Sequence, residues 1–145
     1  MNAAVLVVRI VLGGLLVAAG ALKVTDPSSL AADIAAFRLL PAAIVGPLAL
    51  ALPYLEILLG AYLILGLFTR IAAGFAATAF FIYAAAIASA VIRGIPATCG
   101  CFGPKDTAVA DWPHVAFDLT LAAASCFVAY GAPGAFAIDR RLHTT

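Results

Sequence analysis

The sequence predicts an all-α integral membrane four-helix bundle, with a short amphipathic interfacial helix after the first span. The 145-residue chain is 66% hydrophobic and 10% charged, and its mean hydropathy is +1.16. Soluble domains are nearer about half apolar and a quarter charged. Because a spanning helix takes about 20 apolar residues, residues 1–145 have room for about four spans in a single membrane domain. The net charge of +1 and the lack of a basic cluster argue against a nucleic-acid partner.

The first predicted span covers residues 3–22 and contains one charge, Arg9. A cleaved signal peptide is the alternative interpretation, but the long apolar stretch with Arg9 inside it favours a retained span. Asp26 and Pro27 then form a favourable N-cap and N1 pair for an amphipathic helix over residues 27–40. This helix is too short to cross a bilayer, so we expect it to lie in the interface or to cap the bundle.

Three further spans are predicted over residues 45–67, 71–92 and 112–130. The second span carries Glu56 and is expected to kink near Pro53. The third span has no charged residue and is rich in alanine and glycine, which let helices approach closely. The remaining polar sequence between the third and fourth spans forms a loop.

Four spans place both termini on one side of the membrane and the loop over residues 93–111 on the other. Lysine and arginine are nearly balanced between the two sides, so the positive-inside rule decides little. The Arg140 and Arg141 pair after the last span favours a cytoplasmic C-terminus. Disulfide chemistry in the loop belongs to the oxidising, outer compartment. We therefore expect a multi-pass cell-membrane protein, surrounded by lipid, with cytoplasmic termini and an extracytoplasmic cysteine loop.

The loop over residues 93–111 holds two of the three cysteines, Cys99 and Cys101, on either side of Gly100. Cα atoms two residues apart lie about 5.5–7 Å from each other, and a disulfide needs about 4.4–6.8 Å. The bond can therefore close only if the backbone bends at the glycine. So small a ring is expected to be strained, which suits exchange. The alternatives are a structural clip, which would remove little chain entropy, inert packed thiols, and a metal site with His114, which is one ligand short for zinc. We predict no metal.

Several polar residues are candidates to support the cysteine pair. Lys105 is near enough in sequence to favour a thiolate, and His114 and Asp118 are candidate acid–base groups, although a histidine at a helix start is commonly an interfacial residue. Arg9, Glu56 and Asp118 are costly in hydrocarbon and should face the bundle interior. We expect Arg9 and Glu56 to form a buried structural pair, or Glu56 to bond a partner nearer the midplane. The functional alternative is proton supply or a small-molecule site.

The third cysteine, Cys126, lies inside the last predicted span. It is about fourteen positions beyond Trp112, which corresponds to a depth on the order of 20 Å at 1.5 Å per residue. We therefore expect that Cys126 cannot reach the loop pair. As a buried free cysteine it should pack as a small hydrophobic side chain.

The sequence resembles the DoxX-like membrane proteins and, within them, the MauE-type (methylamine utilisation) group. The resemblance covers most of the chain. It rests on segments in the first span, in the second span and before the fourth span, namely Arg9–Gly14, Ala19–Lys23, Leu52–Glu56, Leu59–Gly60, Leu65–Gly66 and Cys99–Gly103. The Cys-Gly-Cys-Phe-Gly run discriminates the MauE-type branch. The segments in the first and second spans are shared by DoxX-like proteins generally.

The resemblance implies a four-helix membrane bundle linked to thiol–disulfide metabolism outside the cytoplasm. Cys99 and Cys101 carry over as the redox pair, and Arg9, Lys23 and Glu56 occupy positions that we take to be structural. MauE-type proteins are associated with maturation of a disulfide-rich periplasmic enzyme subunit, often beside a thioredoxin-like partner. The wider family includes subunits of quinol-oxidising systems, so the fold does not define one function.

We therefore expect a membrane thiol–disulfide oxidoreductase, or the redox-active subunit of one, that exchanges disulfides with a thioredoxin-like or disulfide-containing extracytoplasmic partner. A thioredoxin-like domain or a membrane quinone would be its proximal electron donor or acceptor, and quinone is the one cofactor considered. One alternative is a non-enzymatic scaffold subunit of an oligomer or a larger membrane complex. Another is a carrier of a small apolar molecule near Glu56.

Overall fold

The computed structural model describes residues 2–103 and 105–139, and within them the chain is helical with one irregular loop. Its helices are α1 (Asn2–Lys23), α2 (Pro27–Ala36), α3 (Ala42–Leu65), α4 (Thr69–Ile92) and α5 (Trp112–Gly131). All except α2 are long and apolar enough to cross a membrane. The predicted all-α membrane bundle of four spans is therefore confirmed. The bounds of α1, α4 and α5 lie within two residues of the predicted spans.

The short helix α2 begins at its predicted cap but ends before its predicted limit. The Asp26 carboxylate accepts hydrogen bonds from the Ser28 hydroxyl at 2.6 Å and the Ser29 backbone N–H at 3.0 Å. These two bonds lower the pKa of Asp26. The helix ends at Ala36 rather than at residue 40, because Arg38 has a left-handed φ of 52° that an α-helix cannot continue through.

The helix α3 begins at Ala42, three residues before the predicted span, and contains both Pro47 and Pro53. It ends at Leu65, and its C-cap residue Gly66 has a left-handed φ of 68°. The N–H of Leu67 then returns to a carbonyl in the last turn at 3.0 Å. Glycine tolerates this conformation without a Cβ clash, so the chain reverses into α4 with a short connection.

The bundle consists of two closely packed pairs, α1 with α3 and α4 with α5. Glycines allow the backbones of α1 and α3 to come into direct contact. A Cβ atom built on Gly13 would lie 2.7 Å from the carbonyl oxygen of Gly60, and one built on Gly20 would lie 2.5 Å from that of Pro53. Small residues of this kind are how membrane helices gain van der Waals contact. The core on these helices includes Leu12 and other buried apolar side chains, and large apolar residues cover the outer surface.

Arg9 is buried but does not pair with Glu56, which corrects the expected pair. Its Nη1 atom donates to the carbonyl of Pro133 at 2.8 Å and its Nη2 atom to that of Ala135 at 3.4 Å. Glu56 pairs with Lys23 instead. Depth explains the difference, because Lys23 is the last residue of α1 and Arg9 lies about 20 Å from it along the helix at 1.5 Å per residue. Glu56 is level with the end that carries Lys23.

The end of the bundle opposite the cysteine loop, hereafter the terminal end, is closed by the C-terminal segment. The Asp139 carboxylate accepts hydrogen bonds from the backbone N–H groups of Phe68 and Thr69, both at 2.8 Å. These bonds cap the first turn of α4, whose N–H groups have no partner within the helix. Arg140 and Arg141, on which the expected orientation partly rests, lie outside the described residues.

Cys126 is a free cysteine exposed on the outer face of α5, so the expectation of a buried position is wrong. The buried residues of this helix recur at helical spacing and include Asp118, Ala122 and Ser125. Cys126 follows Ser125 directly and therefore points away from the bundle, since one residue rotates the helix by about 100°. Its outward position agrees with the expectation that it does not reach the loop cysteines.

The start of α5 is organised by Asp111 and His114. The Asp111 carboxylate accepts from the backbone N–H of His114 at 3.1 Å and also contacts its Nδ1 atom. The ring contact first, and then the backbone bond, lower the pKa of Asp111. The structure therefore makes Asp111 the N-cap of α5, and His114 bonds to it through both its backbone N–H and its ring.

We predict that Gly13→Ala lowers the thermal unfolding midpoint of the protein in detergent micelles and that Gly14→Ala does not. The added methyl group at residue 13 meets the backbone of α3, whereas nothing lies within 4 Å of a Cβ at Gly14. Overpacking of this kind costs about 1–3 kcal/mol. Equal midpoints for the two variants would contradict the close approach of α1 and α3.

We also predict that Asp111 makes the stability of the protein sensitive to acid. Because its folded pKa is lowered, its contribution is complete above the unfolded value of about 3.9 and is lost as the pH falls through the folded value. Asp111→Asn keeps a capping oxygen but cannot titrate. Unfolding midpoints measured from pH 7 downwards should fall more steeply for the wild type than for the variant. Parallel curves would refute this assignment.

Candidate functional site

The cysteine loop contains a disulfide between Cys99 and Cys101. Their Cα atoms are 5.3 Å apart, within the distance that a disulfide requires. The bend predicted at the middle residue is present, since Gly100 has a left-handed φ of 61°. Among the described residues, no three histidine, cysteine, aspartate or glutamate side chains are grouped so as to hold a metal ion.

Backbone hydrogen bonds hold the loop in a folded shape. The N–H of Cys99 donates to the carbonyl of Ala108 at 2.8 Å, and the N–H of Ala110 donates to that of Ala97 at 2.9 Å. The two sides of the loop thus run antiparallel next to each other. Cys99 is 9% exposed and packs against buried residues of α4 and α5, whereas Cys101 is partly exposed. The two cysteine residues therefore differ in exposure.

The loop is also bonded to α2 and the residues that follow it. The Thr98 hydroxyl donates to the Asp33 carboxylate at 2.7 Å, and the Arg93 guanidinium donates to the carbonyl of Phe37. Leu30, one turn before Asp33 on the same face of α2, is buried against the bundle. The predicted amphipathic helix therefore caps the bundle, and it positions the disulfide.

Three charged or polar side chains from three helices form a buried network below the loop. Lys23 donates to both oxygens of Glu56, at 2.8 and 3.0 Å, and the Tyr83 hydroxyl donates to Glu56 at 2.7 Å. Lys23 and Glu56 are 4% and 3% exposed. The ammonium group also lies 5.5 Å from the centre of the Tyr83 ring, within the range of a cation–π interaction.

A cavity of about 390 Å³ lies between the helix pairs, and both the disulfide and the buried network line it. Its wall is mostly leucine, isoleucine, phenylalanine and alanine. Its charged and hydroxyl side chains are those of the network of Lys23, Glu56 and Tyr83, together with Asp33 and Asp118. The volume is within the usual range of about 300–1,000 Å³ for small-molecule sites, which are likewise apolar with a few polar groups.

Asp118 contributes to this cavity an oxygen atom that is not bonded by the described part of the chain. Asp118 is 4% exposed, and its Oδ2 atom has no hydrogen bond among the described residues. A buried polar atom left unpaired costs free energy, so such an atom in a cavity wall indicates a place where a ligand can bond.

The structure brings Asp118 and Glu56 to the cavity and leaves the other predicted support residues outside it. Lys105 is exposed, and neither Lys105 nor His114 is among the described lining residues. Sequence reasoning missed Tyr83 and treated Lys23 only as a structural position. The available signal for Tyr83 was a single phenol within a span that has no charged residue.

We predict that Glu56→Leu or Lys23→Met alone destabilises the protein by about 3–5 kcal/mol, because each leaves one buried charge without its counterion. The double variant should recover part of this loss. Unfolding in detergent, measured for the wild type, both single variants and the double variant, tests the coupling. Additive losses would show that the two side chains do not stabilise each other.

The comparisons with known proteins agree with this architecture. The family model described as methylamine utilisation protein MauE matches residues 1–131, which include all four spans, the cysteine pair and the lining of the cavity. No curated protein and no solved structure matches the chain. The MauE-type resemblance is therefore confirmed, while the wider DoxX-like relationship stays a prediction. With four apolar helices of spanning length, the chain belongs to the methylamine utilisation protein MauE family of multi-pass membrane proteins.

Proposed function

We propose that the protein is a membrane thiol–disulfide redox protein that exchanges its Cys99–Cys101 disulfide with a thioredoxin-like or disulfide-containing protein partner. The single observation that supports it most is the disulfide itself, which lies in the loop at one end of the bundle with one of its two residues, Cys101, partly exposed. A structural clip over one intervening residue would constrain little chain. A role in thiol–disulfide exchange therefore explains the bond better than a structural clip does.

In this proposal Cys101 is the sulfur that meets the partner, because it is the more exposed of the two. A partner thiolate attacks the Cys101 Sγ atom, the Cys99–Cys101 bond breaks, and Cys99 leaves as a thiolate. A second thiolate of the partner then attacks the partner's sulfur atom in the mixed disulfide, and Cys101 is released as a thiolate. The partner loses two electrons and gains a disulfide, while Cys99 and Cys101 become two thiols after taking up two protons.

We place the loop on the extracytoplasmic side and the termini in the cytoplasm. Disulfides persist in oxidising compartments, and protein partners with exchangeable disulfides are found there. With this orientation, α2 lies at the outer surface beside the loop, because Asp33 and Phe37 bond to Thr98 and Arg93. The partner would then meet the folded loop and the exposed side of α2 together.

The exchange is tested with a single-cysteine thioredoxin loaded as its mixed disulfide with thionitrobenzoate. In a Cys126→Ser background, the Cys99→Ser variant should release thionitrobenzoate as its Cys101 thiolate attacks. The matched Cys101→Ser variant keeps only the buried Cys99 and should react at a small fraction of that rate, because access limits thiol exchange. Absorbance of the released thiolate measures both rates.

Alkylation of the Cys126→Ser protein in membranes provides the second measurement. Cys99 and Cys101 should become alkylated together after reduction and should both be protected before it. The proposal is wrong if both thiols are permanently free in membranes. It is also wrong if Cys101→Ser reacts with the loaded thioredoxin as fast as Cys99→Ser does.

A further inference from the structure

The cavity beside the disulfide opens towards the lipid. Several of its lining residues are also exposed on the outside of the bundle, among them Leu39, Leu40, Ile82 and Phe117. In a membrane these surfaces face acyl chains. A ligand that is dissolved in the bilayer can therefore enter from the side, between the helix pairs, without crossing the loop.

The polar groups of the cavity select among lipid-soluble ligands. Three acidic side chains, Asp33, Glu56 and Asp118, line the cavity with one ammonium group, Lys23, and that ammonium is already paired with Glu56. A fatty acid would add a fourth carboxylate to this set, which like-charge repulsion disfavours. A neutral ring with oxygen atoms avoids this repulsion. Lys23 has three N–H donors and uses two on Glu56, so one remains for a ligand carbonyl.

From these observations we propose that the cavity binds a membrane quinone, with its ring beside Cys99 and Cys101 and its tail leaving towards the lipid. The Lys23 ammonium donates to one ring oxygen. The unpartnered Oδ2 atom of Asp118 accepts from a ring hydroxyl when the ring is reduced. Both cysteines and Gly100 belong to the cavity wall, so the sulfur atoms and the ligand share one space. This inference rests on the proposed function, because it names the electron acceptor of the same disulfide.

The redox step balances between the two thiols and the quinone. After exchange with the protein partner, Cys99 and Cys101 are thiols. Two electrons and two protons pass from them to the quinone, the bond between the two sulfur atoms forms again, and hydroquinone leaves into the bilayer. The protein is thereby ready for another partner dithiol, and no other oxidant is required.

Binding is tested apart from redox chemistry, with the full-length chain in lipid nanodiscs and all three cysteines replaced by serine. Tritiated decylubiquinone is the probe, and decylbenzene, which has the same tail but no ring oxygen, is the competitor. We expect saturable binding that excess decylbenzene does not displace. Displacement by decylbenzene would show a general apolar site and would overturn the proposal.

Two neighbouring alanines of α4 provide a matched pair of variants. Ala86 lines the cavity, whereas Ala85 is exposed on the outer surface. Ala86→Phe fills the cavity and should weaken decylubiquinone binding by about tenfold or more, which corresponds to about 1.4 kcal/mol. Ala85→Phe adds the same ring towards the lipid and should bind as the parent does. Equal affinities for the two variants would overturn the proposal.

Asp118→Asn provides a variant that changes chemistry more than volume. We expect the affinity for decylubiquinol to fall by about tenfold, since hydrogen bonds to carboxylates are stronger than those to neutral amides. The affinity for the oxidised form should fall less, because Asp118 is assigned to the hydroxyl of the reduced ring. An unchanged affinity for decylubiquinol would refute the role of Asp118.

Anaerobic oxidation of the reduced protein in the Cys126→Ser background completes the test. One decylubiquinone should be reduced for each disulfide formed, as measured by quinone absorbance and thiol alkylation. If thioredoxin exchange proceeds but quinone neither binds nor reoxidises the thiols, this inference fails and the proposed function stands. If quinone binds the cysteine-free chain with the expected sensitivity to Ala86→Phe but exchange fails, the proposed function fails and the binding site stands.

Discussion

The buried ion pair between Lys23 and Glu56 is the interaction on which the arrangement of the helices depends. Each charge alone would cost several kcal/mol in hydrocarbon, so α1 and α3 must pack with these two side chains at the same depth. The Tyr83 hydroxyl adds α4 to the same network. The glycine contacts of α1 with α3 then allow the backbones to meet at the matching register. The network also forms the polar wall of the cavity, so stability and the candidate site share these residues.

Much of this architecture follows from local patterns in the sequence. Apolar length predicts the spans, Asp26 and Pro27 predict the start of α2, and the glycine between Cys99 and Cys101 predicts the bend that a disulfide needs. Partners of buried charges are harder to predict. Arg9 and Lys23 are both on α1, and only the vertical register of α3 decides which of them meets Glu56. The register between two helices is set by their packing, and the residue pattern of each helix alone does not determine it.

The cavity was the feature least accessible to sequence reasoning, because it is made by side chains from all five helices and the loop. Asp118 was expected to face inward, and it does, but its lack of a partner depends on where α1 and α4 stand. The loop likewise does not extend as a free polar surface. Hydrogen bonds from Thr98 to Asp33 and from Arg93 to Phe37 join the loop to α2 and the residue that follows it. A substitution that displaces α2 would therefore also displace the disulfide.

The two polar regions of the bundle lie at its opposite ends, and this separation has an electrical consequence. Arg9 bonds the terminal end, Lys23 belongs to the cysteine end, and the buried side chains Leu12, Leu16 and Phe80 lie in the apolar layer of the core. Protons move between hydrogen-bonding groups, and such a layer interrupts their path. In the proposed redox reaction, protons taken up or released at the disulfide would therefore return to the same side of the membrane. The proposed turnover would then be electroneutral, and its rate would be independent of the membrane potential.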